Sequence, residues 1–450
     1  MTAALAGTRK RFRRPKLTLL ELAAVTYMMV SGGPYGIEEL IGSSGYAIAI
    51  VVLLLIPIVW SLPVGLMVGE LSAAIPCDGG FYVWVRRALG PFWGFQEAWL
   101  SLAASVFDMT AYLALFVLCL SRIWPPALHY SFWIGTAIVI ISVAWNLFGA
   151  KPVGEGSILL VIVLLAPFVP MIFSALARHA PLATQTSHPA ERDLLAGILI
   201  AMWNYMGWDN ASTIAEEVDH PQRNYPRVML LALAAIVFCY VVPVLAVWHA
   251  RVPLSAWTTG SWITIAATLG GAMLGTAMTI TALVSTFGIF NSLTLSLSRL
   301  PVAMAEDGCA PRFLRLRLRN GAPWAAIVSC GLLWISVLGL SFDRLVLLDV
   351  LLYGGGLVLE FVALTALRIR EPNMPRPFRM PGGTIGTVIA GLGPTALLLC
   401  ALIKSRHDQL AGLSAFTVGI AIAAVGMVIP LVTAHLPKRR IARRKITNAV

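Results

Sequence analysis

The 450-residue chain is 58% hydrophobic, only 12% charged, and has a positive mean hydropathy. Soluble domains are about 25% charged, so this composition excludes an ordinary soluble enzyme or binding module and predicts an all-α integral membrane protein. The net charge of +12 implies no nucleic-acid partner, because Lys and Arg beside membrane helices face anionic lipid and set orientation.

In chain order, apolar runs predict helices near 17–42, 45–75, 91–121, 130–149, 155–177 and 193–217. Six more are predicted near 226–249, 268–304, 322–341, 345–367, 384–403 and 411–435. Most are about twenty residues or longer, enough to cross a hydrocarbon core of about 30 Å. An even number of crossings puts both termini on one side, and both are basic: Arg9 to Lys16 and Lys438 to Lys445. Of the 33 Lys and Arg, 26 fall on that side. The seven opposite are Arg122, Arg178, Arg192, Arg251, Arg344, Lys404 and Arg406. The positive-inside rule then predicts an inner-membrane protein with both termini cytoplasmic. The first apolar run is too long for a cleavable signal and reads as a spanning helix.

The six cysteines lack metal-ligand spacing and no HExxH occurs, so neither a metal nor an organic cofactor is expected. Phe81 to Leu89 is amphipathic and is expected along the cytoplasmic surface.

Two of the expected helices are interrupted. The first reads Ser31-Gly32-Gly33-Pro34-Tyr35-Gly36-Ile37-Glu38; so much Gly and Pro cannot sustain a helical hydrogen-bond ladder. The sixth reads Trp203-Asn204-Tyr205-Met206-Gly207-Trp208-Asp209-Asn210. It begins about 15 Å along its helix, near the midplane. Irregular backbone at that depth is tolerated where it is buried in protein or lines a cavity. The breaks are five crossings apart, and an odd number of crossings reverses direction. This predicts two inverted five-helix units, 17–177 and 193–367, with helices 384–435 added and basic tails at 1–16 and 436–450. Paired broken helices in such units point to a transporter's binding site.

Four segments carry a family resemblance. They are Ser31 to Glu38; Glu70-Leu71 through Pro76, Gly79-Gly80, Tyr82 and Trp84 to Gly90-Pro91; Arg299-Leu300-Pro301 with Ala305-Glu306-Asp307-Gly308 and Pro311; and Leu359-Glu360-Phe361 with Leu367-Arg368 and Arg376-Pro377-Phe378-Arg379-Met380-Pro381. Together they resemble the amino acid–polyamine–organocation superfamily, and within it the polyamine and amino-acid uptake permeases. The resemblance implies a five-plus-five core with two extra helices and uptake driven by a proton or sodium gradient. Some members of that superfamily use a Lys in the fifth helix in place of sodium; the expected helix 155–177 has none.

Candidate substrate-binding residues follow. Freed amides of Gly32, Gly33, Tyr35 and Gly36 suit a carboxylate, whereas Glu38 suits an ammonium group. Asp108 lies deep in the third helix with no cation in its local sequence, and an intramembrane carboxylate marks a functional site by default. Its segment, with Tyr112, also resembles the third helix of polyamine permeases. Trp203, Tyr205 and Trp208, beside Gly207, offer aromatic faces to a cation. Asp209 is expected to cap the second half of helix six or to carry the coupling proton, a role open to Asp108 as well. Glu70 and Glu360 are placed near cytoplasmic helix ends, in structural networks. The expected function is secondary active import of organic amines such as polyamines, or of amino acids, by alternating access. A zwitterionic amino-acid permease or exchanger is the alternative, and an embedded enzyme or a channel the remote one. The expected partners are the small-molecule substrate and membrane lipid.

Overall fold

A computed structural model describes residues 15–178, 194–338, 342–405, 409–410 and 413–433; most of both basic tails lies outside them. The first segment is α1 (Leu19–Val30) and α2 (Glu38–Ser44), separated by irregular backbone at 31–37. Next come α3 (Tyr46–Ala74), the short α4 (Gly80–Leu89), α5 (Pro91–Ser121), α6 (Ser131–Asn146) and α7 (Ala150–Leu176). The sixth segment starts as α8 (Leu194–Trp203). It is followed by α9 (Pro221–His249), α10 (Trp262–Gly270), α11 (Ala272–Glu306), α12 (Trp324–Ile335), α13 (Phe342–Arg370), α14 (Gly383–Ser405) and α15 (Ala415–Thr433). Seven of these are long and apolar enough to cross a membrane. A two-residue antiparallel pair, Gln409–Leu410 with Leu413–Ser414, precedes α15.

Large apolar side chains such as Leu55, Ile140, Phe173, Phe238 and Ile389 face outward, while Glu38, Glu70, Glu97, Asp209, Asp349 and Glu360 are buried. That inverted partition suits hydrocarbon solvent, in which ionisable groups turn to the bundle interior. Small residues bring helices close: α9 crosses α3 at Gly65 and Gly69, where an added Cβ would stand 3.5 Å from Met229 and 3.3 Å from Pro226.

Three expectations need correction. The fifth helix begins at Ala150, after a Gly149 with φ of +98°, five residues before the expected start. Lys151 therefore lies in its first turn, with Nζ 2.5 Å from Glu21 at the start of α1. The eighth helix begins at Ala272 rather than 268, because Gly271 (φ +87°) ends the separate helix α10. The sixth segment does not resume as an α-helix beyond its break. It continues in 3-10 turns, Asp209–Thr213 and Ala215–Glu217, because tertiary partners take its carbonyls. Tyr225 donates to Ala211 O (2.6 Å), Ser296 to Asn210 O (2.7 Å) and Gly79 N to Thr213 O (3.0 Å).

This strap is zipped shut at the α4 end of the bundle. Leu17 pairs with Val218, Asp78 pairs with Ile214, and the fully buried Arg299 reaches Glu217 at 2.9 Å. At the same end Glu70 binds Arg368 and Arg376 and accepts from Met380 N, the structural network expected of it.

Candidate substrate and proton site

The two breaks touch. The Asn204 amide donates to Gly36 O (3.3 Å), and Gly207 packs so closely on the last turn of α1, just before the first break, that an added Cβ would stand 2.5 Å from Met29 O. Gly36 and Gly207 both have φ of +94°, a region L side chains avoid. Neighbouring helices hold the irregular backbone: Ser285 donates to Gly32 O, Trp262 to Pro34 O (2.7 Å) and Tyr240 to Asn204 O (2.8 Å).

Several expected ligands are already engaged. Gly33 N donates to the Ser31 hydroxyl (3.1 Å) and Gly36 N to the Glu38 carboxylate (2.7 Å), so side chains of the same segment occupy two amides of the suggested carboxylate cradle. The Tyr35 hydroxyl donates to Met278 O and lies 2.8 Å from the Thr281 hydroxyl. Tyr205 donates to Leu53 O (2.9 Å), and the Trp208 indole donates to Tyr205 O (2.9 Å). All three rings are buried; the two tyrosine hydroxyls anchor the breaks to α11 and α3, and the Trp208 indole closes the second break on itself.

Trp203, Asp108 and Tyr112 are brought together. The Trp203 indole donates to the Asp108 carboxylate (3.3 Å), and its ring stacks on Tyr112 at 5.4 Å between centroids. Its far edge lies 3.3 Å from where a Cβ on Gly36 would stand, so one ring joins α5 to both breaks. Asp108 is half-buried and retains open surface for a ligand.

Asp209 sits on the other side of the second break. It caps no α-helix. Tyr353 of α13 donates to it while accepting from Gly207 N at 3.0 Å, tying the carboxyl group to the irregular backbone. Three more acids lie close enough to couple electrostatically: Asp349 with both Asp108 and Asp209, Glu360 with Asp209, and Glu97 with Asp209 and Glu360. Glu360 thus belongs to this buried group rather than to a network at a helix end. Sequence reasoning also missed Asp349, Tyr353 and Glu97. The available signal was their spacing: Asp349, Tyr353, Gly356 and Glu360 recur every three or four residues, the period of one helix face.

A site of buried acids and aromatic rings between two broken segments, inside a bundle of apolar helices, defines a multi-pass membrane permease. The chain belongs to the amino acid permease family, which it matches over residues 17–407; it is a transporter and not an enzyme. It is 35% identical over 433 residues to the polyamine transporter PUT1 of Oryza sativa subsp. japonica, covering 94% of this chain and 79% of that one. Against the polyamine transporter RMV1 of Arabidopsis thaliana it is 33% identical over 416 residues, 90% of this chain and 84% of that one. The serine/threonine exchanger SteT of Bacillus subtilis (strain 168) is more distant, 26% identical over 70% of this chain and 74% of its own.

Proposed function

We propose that this permease imports organic amines, polyamines among them, across the inner membrane in exchange for dissipation of a proton gradient. In this reading residues 17–177 and 193–367 are inverted units that alternate access to the breaks, and the α4 end, with both termini, is cytoplasmic. The observation that carries it is Asp108, held by Trp203 between the two breaks with a second acid, Asp349, beside it. Among the described residues no Lys or Arg forms an ion pair with either. Such a site is neutralised by cations from solution, and an ammonium group beside aromatic faces is a suitable one. Glu38, already bonded to Gly36 N, supplies a further negative group at the first break. The names of the two plant relatives point to the same substrate class, and no cofactor takes part; the coupling ion is the proton, with sodium the alternative.

A carboxylate and a cation about 4 Å apart attract by about 4 kcal/mol at an effective dielectric near 20. Since about 1.4 kcal/mol is a factor of ten, loss of one such contact lowers affinity about tenfold or more. Asp108→Asn is therefore expected to weaken putrescine or spermidine binding by that factor and to leave a neutral amino acid such as alanine nearly unaffected, with Glu38→Gln showing the same pattern more weakly. Competition uptake in proteoliposomes measures this. If polyamines do not compete while neutral amino acids do, the cargo is zwitterionic, as the name of the exchanger relative suggests.

A further inference from the structure

Glu97 lies eleven residues before Asp108 on α5, and Glu360 lies eleven residues after Asp349 on α13. Eleven residues are close to three helical turns, about 16 Å of rise, so each pair lies on one face of its helix. α5 and α13 pack extensively against each other. The result is a ladder of carboxyl groups between them, with Asp209 at its middle and Glu97 and Glu360 towards the α4 end.

Those last two are built into the protein rather than left at its surface. Glu97 is fully buried and Glu360 is 1% exposed. Gly356, one turn from both Tyr353 and Glu360, forms the notch that seats Glu97; an added Cβ there would stand 2.9 Å from its Oε1. Ser101 donates to Glu97 Oε1 (3.0 Å), yet Oε2 of Glu97 and Oε2 of Glu360 have no partner in the structure. The Trp60 indole N–H, on a ring 6.4 Å from that of Tyr353, has none either.

The charged groups on every packed element are accounted for. α3 brings Glu70, bound to Arg368 and Arg376; α4 brings Arg86 and Arg87, paired with Asp307 and Glu371; Arg370 donates to Ala88 O; and Arg299 of α11 holds Glu217. The described parts of α8, α14 and α15 contribute no ionisable residue whose side chain faces this region. No cation is therefore available to two buried acids whose free oxygens need one.

We propose that Glu97 and Glu360 form a second proton-binding site, which takes the coupling proton from Asp209 and releases it towards the α4 end along α5 and α13, apart from the route of the substrate. The proposal rests on the proton-coupled reading above. Tyr353 donates to one Asp209 oxygen, which leaves the other to share a proton with Glu360. Transfer moves one H⁺ from the Asp209 carboxylic acid to the Glu360 carboxylate, leaving Asp209 ionised. A second transfer passes the proton from Glu360 to the Glu97 carboxylate. No ammonium group follows, because the Gly356 notch is filled by Glu97 itself.

The test separates net proton-driven uptake from substrate exchange. Proteoliposomes containing the full chain are loaded for putrescine uptake driven by an imposed pH gradient and, separately, for putrescine–putrescine exchange at equal pH, which needs no net proton release. Glu360→Gln and Glu97→Gln are expected to lower gradient-driven uptake about tenfold and to lower exchange far less. Glu360→Asp, which retains a carboxyl group, should recover part of the coupling, and Gly356→Ala should lose part of it by displacing Glu97. Parallel loss of exchange and driven uptake in the Gln variants, with no recovery in Glu360→Asp, would mean a structural role and overturn the proposal; so would undiminished driven uptake. Wild-type exchange without any response to the pH gradient would instead sink the proton-coupled reading itself.

Discussion

Gly207 and Gly36 are the residues at which the breaks tolerate least change. Each combines a φ of +94° with a neighbour inside contact distance: Met29 O for Gly207, the Asn204 amide oxygen for Gly36. An L residue in the left-handed region costs about 1–2 kcal/mol. The Met29 neighbour is backbone and cannot swing aside, whereas Asn204 can. Gly207→Ala is therefore expected to destabilise the purified protein more than Gly36→Ala, read as the difference in thermal unfolding midpoint. Asp209, held by Tyr353 next to Gly207, is the residue where proton binding meets the irregular backbone. Uptake is expected to rise as external pH falls, and Asp209→Asn to flatten that dependence in the same transport assay. Strict sodium dependence with no response to pH would refute this and turn attention to the serines of α11. The glycine and proline run made the first break legible from the sequence, Gly207 beside Asn204, Asp209 and Asn210 the second, and Asp108 stood out because an acid deep in an apolar run is conspicuous. Asp349, Glu97 and Glu360 did not, because their meaning depends on which helix face meets which, and only packing decides that.

At the scale of elements, long apolar helices were read closely: 91–121 was expected and α5 is Pro91–Ser121. The strap after the second break was not, since local apolarity suggested a helix where side chains of Tyr225, Ser296 and the α3–α4 loop had claims on the same carbonyls. That strap has its own pH dependence. Asp78, in the loop between α3 and α4, accepts from Glu216 N (3.2 Å). Burial and the nearby Glu217 and Glu216 push its carboxyl up to about 7, against the opposing pull of Arg299 and Arg317. A raised carboxyl pKa means that the zipped arrangement binds a proton which the opened one releases. The stabilising contribution is full below the ordinary carboxylate range and is lost as pH rises through about 7. Hydrogen exchange at the Gly79 and Glu216 amides, corrected for the intrinsic rate, should therefore show more opening above that pH. Asp78→Asn should remove the trend while keeping an acceptor for Glu216 N; an unchanged trend would assign the opening to another group.

The whole molecule offers one further check, because the direction of transport depends on which end of the bundle meets the cytoplasm. In the orientation proposed from the distribution of Lys and Arg, the α4 end faces inside, so that the zipped strap would close the cytoplasmic entrance while the breaks remain joined to α2 and α10. Cys309 follows α11 at the α4 end and is exposed, whereas the other five cysteines are buried or half-buried. A membrane-impermeant maleimide should leave right-side-out vesicles of the wild-type protein unlabelled and should modify Cys309 once they are permeabilised. In a Cys309→Ser background, Thr258→Cys supplies the opposite marker: Thr258 is exposed in the loop before α10 and should react in intact vesicles. Labelling of Cys309 in sealed right-side-out vesicles would invert the molecule. It would place the α4 end outside and make the Glu97–Glu360 end of the carboxyl ladder the side of proton entry instead of release.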